Sequence, residues 1–203
     1  YGQYSDSKET SYVRLALGIH PSEIKMDELE QTIEFIEKNA VTAAAIGEIG
    51  LDYWDKGAKK DESVRKKQLE VFESMLGIAL AHKKPVIVHS RGSWKECFET
   101  LAKHNIKSAV FHWYSGPGDV LEKIIGAGYY VSMTPALEYS KDLIAAANAA
   151  PLERIMVETD TPVYGWKPAD VVRTVNRLAE IKKIPPQKIA EQTTINAIKF
   201  FGI

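Results

Sequence analysis

One unit recurs six times along the chain: a short apolar run, a polar residue at its end, a loop and an amphipathic helical stretch. The apolar runs fall at 13–17, 43–46, 85–88, 109–111, 129–131 and 155–157. They are nearly all apolar instead of alternating, which predicts parallel strands covered on both faces. Helical patterns occupy 26–39, 62–84, 93–104, 118–128, 140–150 and 168–183, with two last stretches at 185–192 and 193–203. Proline and glycine mark the joins, at His20–Pro21, Gly116–Pro117, Pro151 and Pro185–Pro186.

Strict β-α alternation leaves two architectures, an open doubly wound sheet or a closed barrel. No G-x-G-x-x-G or Walker-type loop follows any run, which disfavours a nucleotide-binding open sheet. The residues that do follow the runs are His20, Glu48, His89, His112, Ser132 and Asp160. A barrel brings all its strand C-termini to one face, where catalytic side chains from several strands gather. The expected fold is therefore α/β, a TIM (β/α)8 barrel. Six units do not close eight strands, so roughly the first two β/α units are expected to be missing from this sequence. The chain opens at Tyr1 without methionine, and residues 1–12 read like the end of a helix, as in part of a longer protein. At 203 residues the chain is expected to form one barrel domain.

Composition removes other classes. Hydrophobic residues at 45% and charged residues at 26% describe an ordinary globular protein. No run approaches the roughly 18 apolar residues of a membrane span, and the N-terminus lacks the basic and apolar regions of a signal peptide. No membrane partner is expected. One cysteine, Cys97, excludes an intramolecular disulfide and suits the reducing cytoplasm. A net charge of −1 provides no basic field for holding polyphosphate non-specifically.

Glu48, His89, His112 and Asp160 form a donor set of imidazole and carboxylate without thiolate, suited to Zn²⁺, Mn²⁺, Fe or Mg²⁺. Two ions sharing one carboxylate would activate water and steady a phosphoryl or acyl transition state. Each residue alone has a plainer role, as a hydrogen-bonded histidine or a helix-capping acid; the set, drawn from four units, points to a metal.

These segments resemble a family. AIGEIGLD (45–52), PVIVHSR (85–91), FHWYSG (111–116) and ETDTP (158–162) are similar to the signature segments of TatD-type metal-dependent hydrolases, and ALGIHP (16–21) and TTINAIKFFG (193–202) fit the same pattern. The resemblance runs from about residue 13 to the end. It implies an amidohydrolase-like TIM barrel acting on phosphodiesters, as a deoxyribonuclease or 3′ exonuclease. It also implies two divalent ions (Zn, Mn or Mg), with Glu48 bridging them, His89 and His112 binding one, and Asp160 binding the other and helping to activate water. The family's first strand carries an H-x-H pair, and this sequence contains no H-x-H.

Around this set, His20 is expected to contact substrate or to be a structural residue held by Pro21. Arg91 would clamp a phosphate or pair with Asp52 or Glu158. Ser115 and Gly116 form a turn where glycine permits close approach of an anion. Glu158 is expected to orient a neighbour or to touch metal. Trp54 and Trp113, with Tyr53, Tyr114, Tyr164 and Trp166, fall in loops after strands and would stack bases or pack the rim. Lys56, Lys59 and Lys60 follow Trp54 and could meet backbone phosphates. The expected substrates are DNA ends or a small phosphoester, with a monomer favoured. Two alternatives stand beside this reading: a small-ester, amide or lactone hydrolase on the same barrel, and an inactive barrel serving as a binding module.

Overall fold

The computed structural model describes residues 13–203. The expectation of a helix end at 1–12 lies outside the described residues. Six strands form one parallel sheet in sequential order: β1 (Ala16–Leu17), β2 (Ala45–Gly50), β3 (Val86–His89), β4 (Ala109–Phe111), β5 (Tyr130–Met133) and β6 (Ile155–Val157). Helices α1 (Leu29–Asn39), α2 (Glu62–Ala81), α3 (Trp94–Lys103), α4 (Gly118–Gly126) and α5 (Lys141–Ala149) connect them. Helices α6 (Val171–Lys182) and α7 (Pro186–Phe201) follow β6. Where two terminal helical stretches were expected, one continuous helix runs through both.

Helix α2 illustrates how the units assemble. Asp61 caps it by accepting from the Ser63 N–H at 2.8 Å. Gln68, Val71, Phe72, Met75, Leu76 and Ala79 make a buried stripe at helical spacing, and the helix packs on β2. Helix α7 is tied down differently: the Asn196 amide donates to the carbonyls of Leu152 at 2.8 Å and Ile155 at 2.7 Å.

Strands β3 and β5 are shifted by one or two residues from the expected runs, and two strands differ further. Only Ala16–Leu17 of the first run is strand, and Val13 and Leu15 are exposed; among the described residues β1 pairs with β2 alone. Strand β2 runs on through Glu48 to Gly50, where glycine's low strand propensity hid it. Its glycines are required by close packing: a Cβ on Gly47 would sit 2.5 Å from Ile87 Cβ, and one on Gly50 (φ +144°) 2.0 Å from the His89 carbonyl oxygen.

The sheet is curled. Adjacent strands lie about 4.8 Å apart, so side chains on β1 and β3 of a flat sheet would stand roughly 10 Å apart. His20, just beyond β1, comes within 3.1 Å of His89 at the end of β3. His112 and Asp160, from β4 and the β6 loop, come within 3.5 Å. Inside the curl, Ile87, Val110, Tyr130 and Met156 form a cluster closed by Ala197, Phe200 and Phe201 of α7. Each of the first four precedes by two residues a polar side chain (His89, His112, Ser132, Glu158), so those point to the same concave side. The interior is thus apolar below and polar at the strand C-termini. The architecture is α/β of the TIM-barrel type.

Candidate metal centre

A cavity of about 610 Å³ opens at the strand C-termini. Among the residues singled out from the sequence, His20, Glu48, Trp54, His89, Arg91, His112, Trp113, Ser115 and Asp160 line it. Asp52, Trp94 and Tyr164 join them.

Glu48 is the hub. His89 Nδ1 lies 2.6 Å from its Oε1, His112 Nε2 3.8 Å and His20 Nε2 3.9 Å from the same oxygen. His20, Glu48 and His89 each offer a ligand atom, and the three lie within 4.8 Å of one another. Placing His20 in this group goes beyond the sequence reading, which treated it as a substrate contact or a structural residue; its Nδ1 also accepts from the Ser22 N–H at 3.2 Å. Burial by itself would raise the Glu48 pKa, but the bond to His89 and the charges of His112 and His20 pull it down to about 2. Burial opposes charging of His89, yet its bonds to Asp52 and Glu48 raise its pKa. His112 is raised well above the usual value, with Glu158 and Asp160 overcoming burial. His20 is lowered, by burial and by the neighbouring His89.

Asp52 is the residue that sequence reading undervalued. It is fully buried, and its Oδ1 accepts from the N–H groups of Trp54 and Asp55, each at 3.0 Å. His89 Nε2 stands 3.2 Å from Oδ2. Of the two expectations for Arg91, the ion pair is observed: Nε donates to both Asp52 oxygens at 3.1 Å and Nη2 to Oδ2 at 2.7 Å. Glu158 is not its partner. Nη1 makes no hydrogen bond among the described residues, and the half-exposed guanidinium borders the cavity. The only sequence signal for Asp52 was its place in AIGEIGLD.

Glu158 orients a neighbour, as expected. Its Oε2 lies 2.8 Å from His112 Nδ1, and its Oε1 accepts from the Ser132 hydroxyl and, at 3.2 Å, from the Trp113 N–H. Asp160 and Trp113 both hold positive φ, 55° and 43°, a conformation non-glycine residues rarely adopt and one that clusters at functional sites.

Two expectations change. Gly116 is small because of an indole: a Cβ there would fall 2.6 Å from Trp94 Cγ, so packing accounts for it. Lys59 and Lys60 lie in a separate groove with Arg65 and Lys66 beside the start of α2, away from the cavity lining.

The donor set fits a divalent cation: imidazoles and carboxylates, with no thiolate, around one shared oxygen. Comparison with known proteins agrees. The family described as TatD related DNase matches residues 4–202. An uncharacterized metal-dependent hydrolase of Methanocaldococcus jannaschii is 30% identical over 197 residues, covering 93% of this chain and 76% of that protein. Human deoxyribonuclease TATDN3 is 27% identical, covering 94% of this chain and 74% of its own. Among solved structures, Escherichia coli YJJV, a TatD homolog, superposes with a TM-score of 0.83 at 24% identity, covering 96% of this chain and 79% of that one. More than two-thirds of each of these relatives is spanned. The chain belongs to the TatD related DNase family.

Proposed function

We propose that the protein is a two-metal phosphodiesterase hydrolysing DNA from its ends, in the manner of a 3′ exonuclease, as a monomeric single-domain enzyme of the cytoplasm. The observation that carries this reading is the convergence of His89, His112 and His20 on one Glu48 oxygen, with Asp160 3.5 Å from His112 Nε2. In this reading Glu48, His89, His112 and Asp160 would hold two divalent cations, Zn²⁺, Mn²⁺ or Mg²⁺, with Glu48 shared between them. When bound, such ions polarise the scissile phosphoester and neutralise the charge that builds on its oxygens.

The remaining work belongs to the chain's own side chains. Asp160 accepts the proton of the attacking water. Arg91, held on one edge by Asp52, presents Nη1 to a phosphate oxygen, a charge-assisted bond needing no reorganisation. Glu158 keeps Nδ1 of His112 engaged, so that Nε2 carries the free lone pair. Ser115, Trp54 and Trp113 border the space where the nucleotide lies.

The test is Glu48→Gln beside wild type, with bound Zn²⁺, Mn²⁺ and Mg²⁺ measured by mass spectrometry and a single-stranded oligonucleotide labelled at its 5′ end as substrate. Wild type is expected to retain metal and shorten the strand stepwise. Glu48→Gln should lose at least 100-fold in rate, roughly the effect of one missing group on transition-state charge, and remain folded. Turnover of a small ester with no nucleic acid cleaved, or near-normal activity in Glu48→Gln, would overturn the reading.

A further inference from the structure

Helix α2 carries one polar side chain among its buried positions, Gln68, which is 1% exposed; the others are all apolar. A buried amide is costly unless its polar atoms are paired. Every bond that Gln68 makes goes to backbone lying beyond a strand end. Oε1 accepts from the Asp52 N–H at 3.0 Å, and Nε2 donates to the Asp52 and Pro21 carbonyls, each at 3.4 Å.

The course of the sheet explains why an amide stands there. Strands β1 and β2 pair at Ala16–Ala45 and Leu17–Ile46. Past the end of β2, the Leu51 and Tyr53 N–H groups donate to the His89 and Arg91 carbonyls at 3.1 and 2.9 Å, which fixes the chain to β3. Between them, Asp52 turns its own N–H and C=O to Gln68, and among the described residues no backbone group bonds either. The chain beyond β1 has by then reached Pro21, which has no N–H to give. Gln68 supplies the donor and the acceptor that Pro21 cannot. What it holds in place belongs to the site. Asp52 Oδ2 lies 3.2 Å from His89 Nε2 and accepts from Arg91 Nη2 at 2.7 Å. Pro21 follows His20, whose Nε2 stands 3.1 Å from His89 Nδ1. Those side chains line the cavity, and Gln68 does not.

We propose that Gln68 is a positioning residue of the hydrolytic site: it joins the chain after β1 to the chain after β2 and so sets where the Asp52 carboxylate meets His89 and Arg91. Through Asp52 it governs how firmly His89 holds a cation. This rests on the reading of His89 as a metal ligand, but the placement of Asp52 is testable with no metal present.

The experiment combines metal-free crystal structures of the intact protein, wild type and Gln68→Met, with Zn²⁺ affinities from chelator competition. Methionine keeps the volume and removes all three bonds. The separation of Asp52 Oδ2 from His89 Nε2, 3.2 Å in wild type, should open beyond hydrogen-bonding reach. Zn²⁺ should bind about 10- to 100-fold more weakly, the usual effect of losing a group that supports a ligand. Gln68→Glu is the second variant, measured in the same two ways should the methionine protein not fold. It keeps the acceptor for the Asp52 N–H but faces the two carbonyls with an acceptor, and it should weaken Zn²⁺ binding about 10-fold. On an Asp52→Asn background, Gln68→Met should add less than about threefold, because Asp52 no longer transmits the change. Asn196→Ala, equally buried but outside the cavity lining, should leave Zn²⁺ affinity unchanged, which separates positioning from lost stability. An Asp52 carboxylate that stays in place, wild-type Zn²⁺ affinity in a folded Gln68 variant, or an equal loss with and without the Asp52 carboxylate would overturn the proposal. Absence of Zn²⁺ binding in wild type itself would sink the metal-ligand reading, and the crystal structures alone would then decide whether Gln68 places Asp52.

Discussion

Oε2 of Glu158 stands 2.8 Å from Nδ1 of His112, while its other oxygen is occupied by Ser132 and the Trp113 N–H. The carboxylate therefore has one oxygen left for the imidazole and holds the ring in a single orientation. Nε2 is thereby directed at Glu48 and Asp160, 3.8 and 3.5 Å away. Removing such a support typically weakens metal affinity about 10- to 100-fold. Glu158→Ala should show that loss in competition with a chromogenic chelator. Glu158→Gln, whose carbonyl still accepts from Nδ1–H, should recover most of it. Wild-type affinity in Glu158→Ala would show that Glu158 does not position His112.

Arg91→Lys separates a fork from a point charge. Asp52 is fully buried and takes two guanidinium nitrogens, which lysine cannot reproduce. Burial alone would raise the Asp52 pKa, but His89 and Arg91 hold it well below the ordinary carboxylate range. A depressed carboxylate contributes stability above its unfolded value, near 4, and that contribution is lost as pH falls further. Arg91→Lys should therefore lose about 1–3 kcal/mol in urea unfolding at pH 7, and the gap from wild type should narrow below pH 4. A gap that stays constant with pH would show that the fork does not stabilise the Asp52 anion.

The clamp between α7 and β6 makes a third expectation. Asn196 is 3% exposed and its amide satisfies the carbonyls of both Leu152 and Ile155. Asn196→Ala removes the side-chain donor from the Ile155 carbonyl and leaves the Leu152 carbonyl only the Ile155 N–H, which costs about 1–3 kcal/mol. The measurement is the urea midpoint at unchanged slope. No shift would mean that water replaces the amide.

Cys97 offers a pH readout remote from substrate. It is fully buried between Ser93 and the His89 carbonyl, and burial pushes its thiol up to about 12 from an ordinary value near 9. A raised folded pKa means the stabilisation is complete below pH 9 and is lost as pH climbs toward 12. At pH 10.5 the loss should reach roughly 2 kcal/mol. Cys97→Ala should show a shallower decline over pH 9–11, whatever its offset at neutral pH. Folded wild type should also resist thiol reagents at pH 8; fast labelling would show the residue to be accessible.

How much was legible depended on which interactions are local. Strands β4 and β6 were placed to the residue because a run buried on both faces is written in consecutive apolar letters. Strand β2 was read short because Gly47 and Gly50 answer to Ile87 and His89, about 40 positions on, and not to their own neighbours. The same distance left the pairing of Arg91 open between Asp52 and Glu158, because Arg91 and His89 belong to the unit after that of Asp52. Gly116 read as a turn residue, whereas in the fold the Trp94 indole rests on it.

By itself the order of residues determined the repeating β/α unit, the burial of its strands, and which side chains arrive at the strand ends, since these follow from periodicity along a single segment. The curl of the sheet decided the rest: that His20, His89 and His112 share one oxygen of Glu48, and that Asp52 and not Glu158 takes one edge of Arg91. Hydrogen-bonding and ligand distances of about 3 Å between different units depend on curvature and register, and no local pattern carries that information.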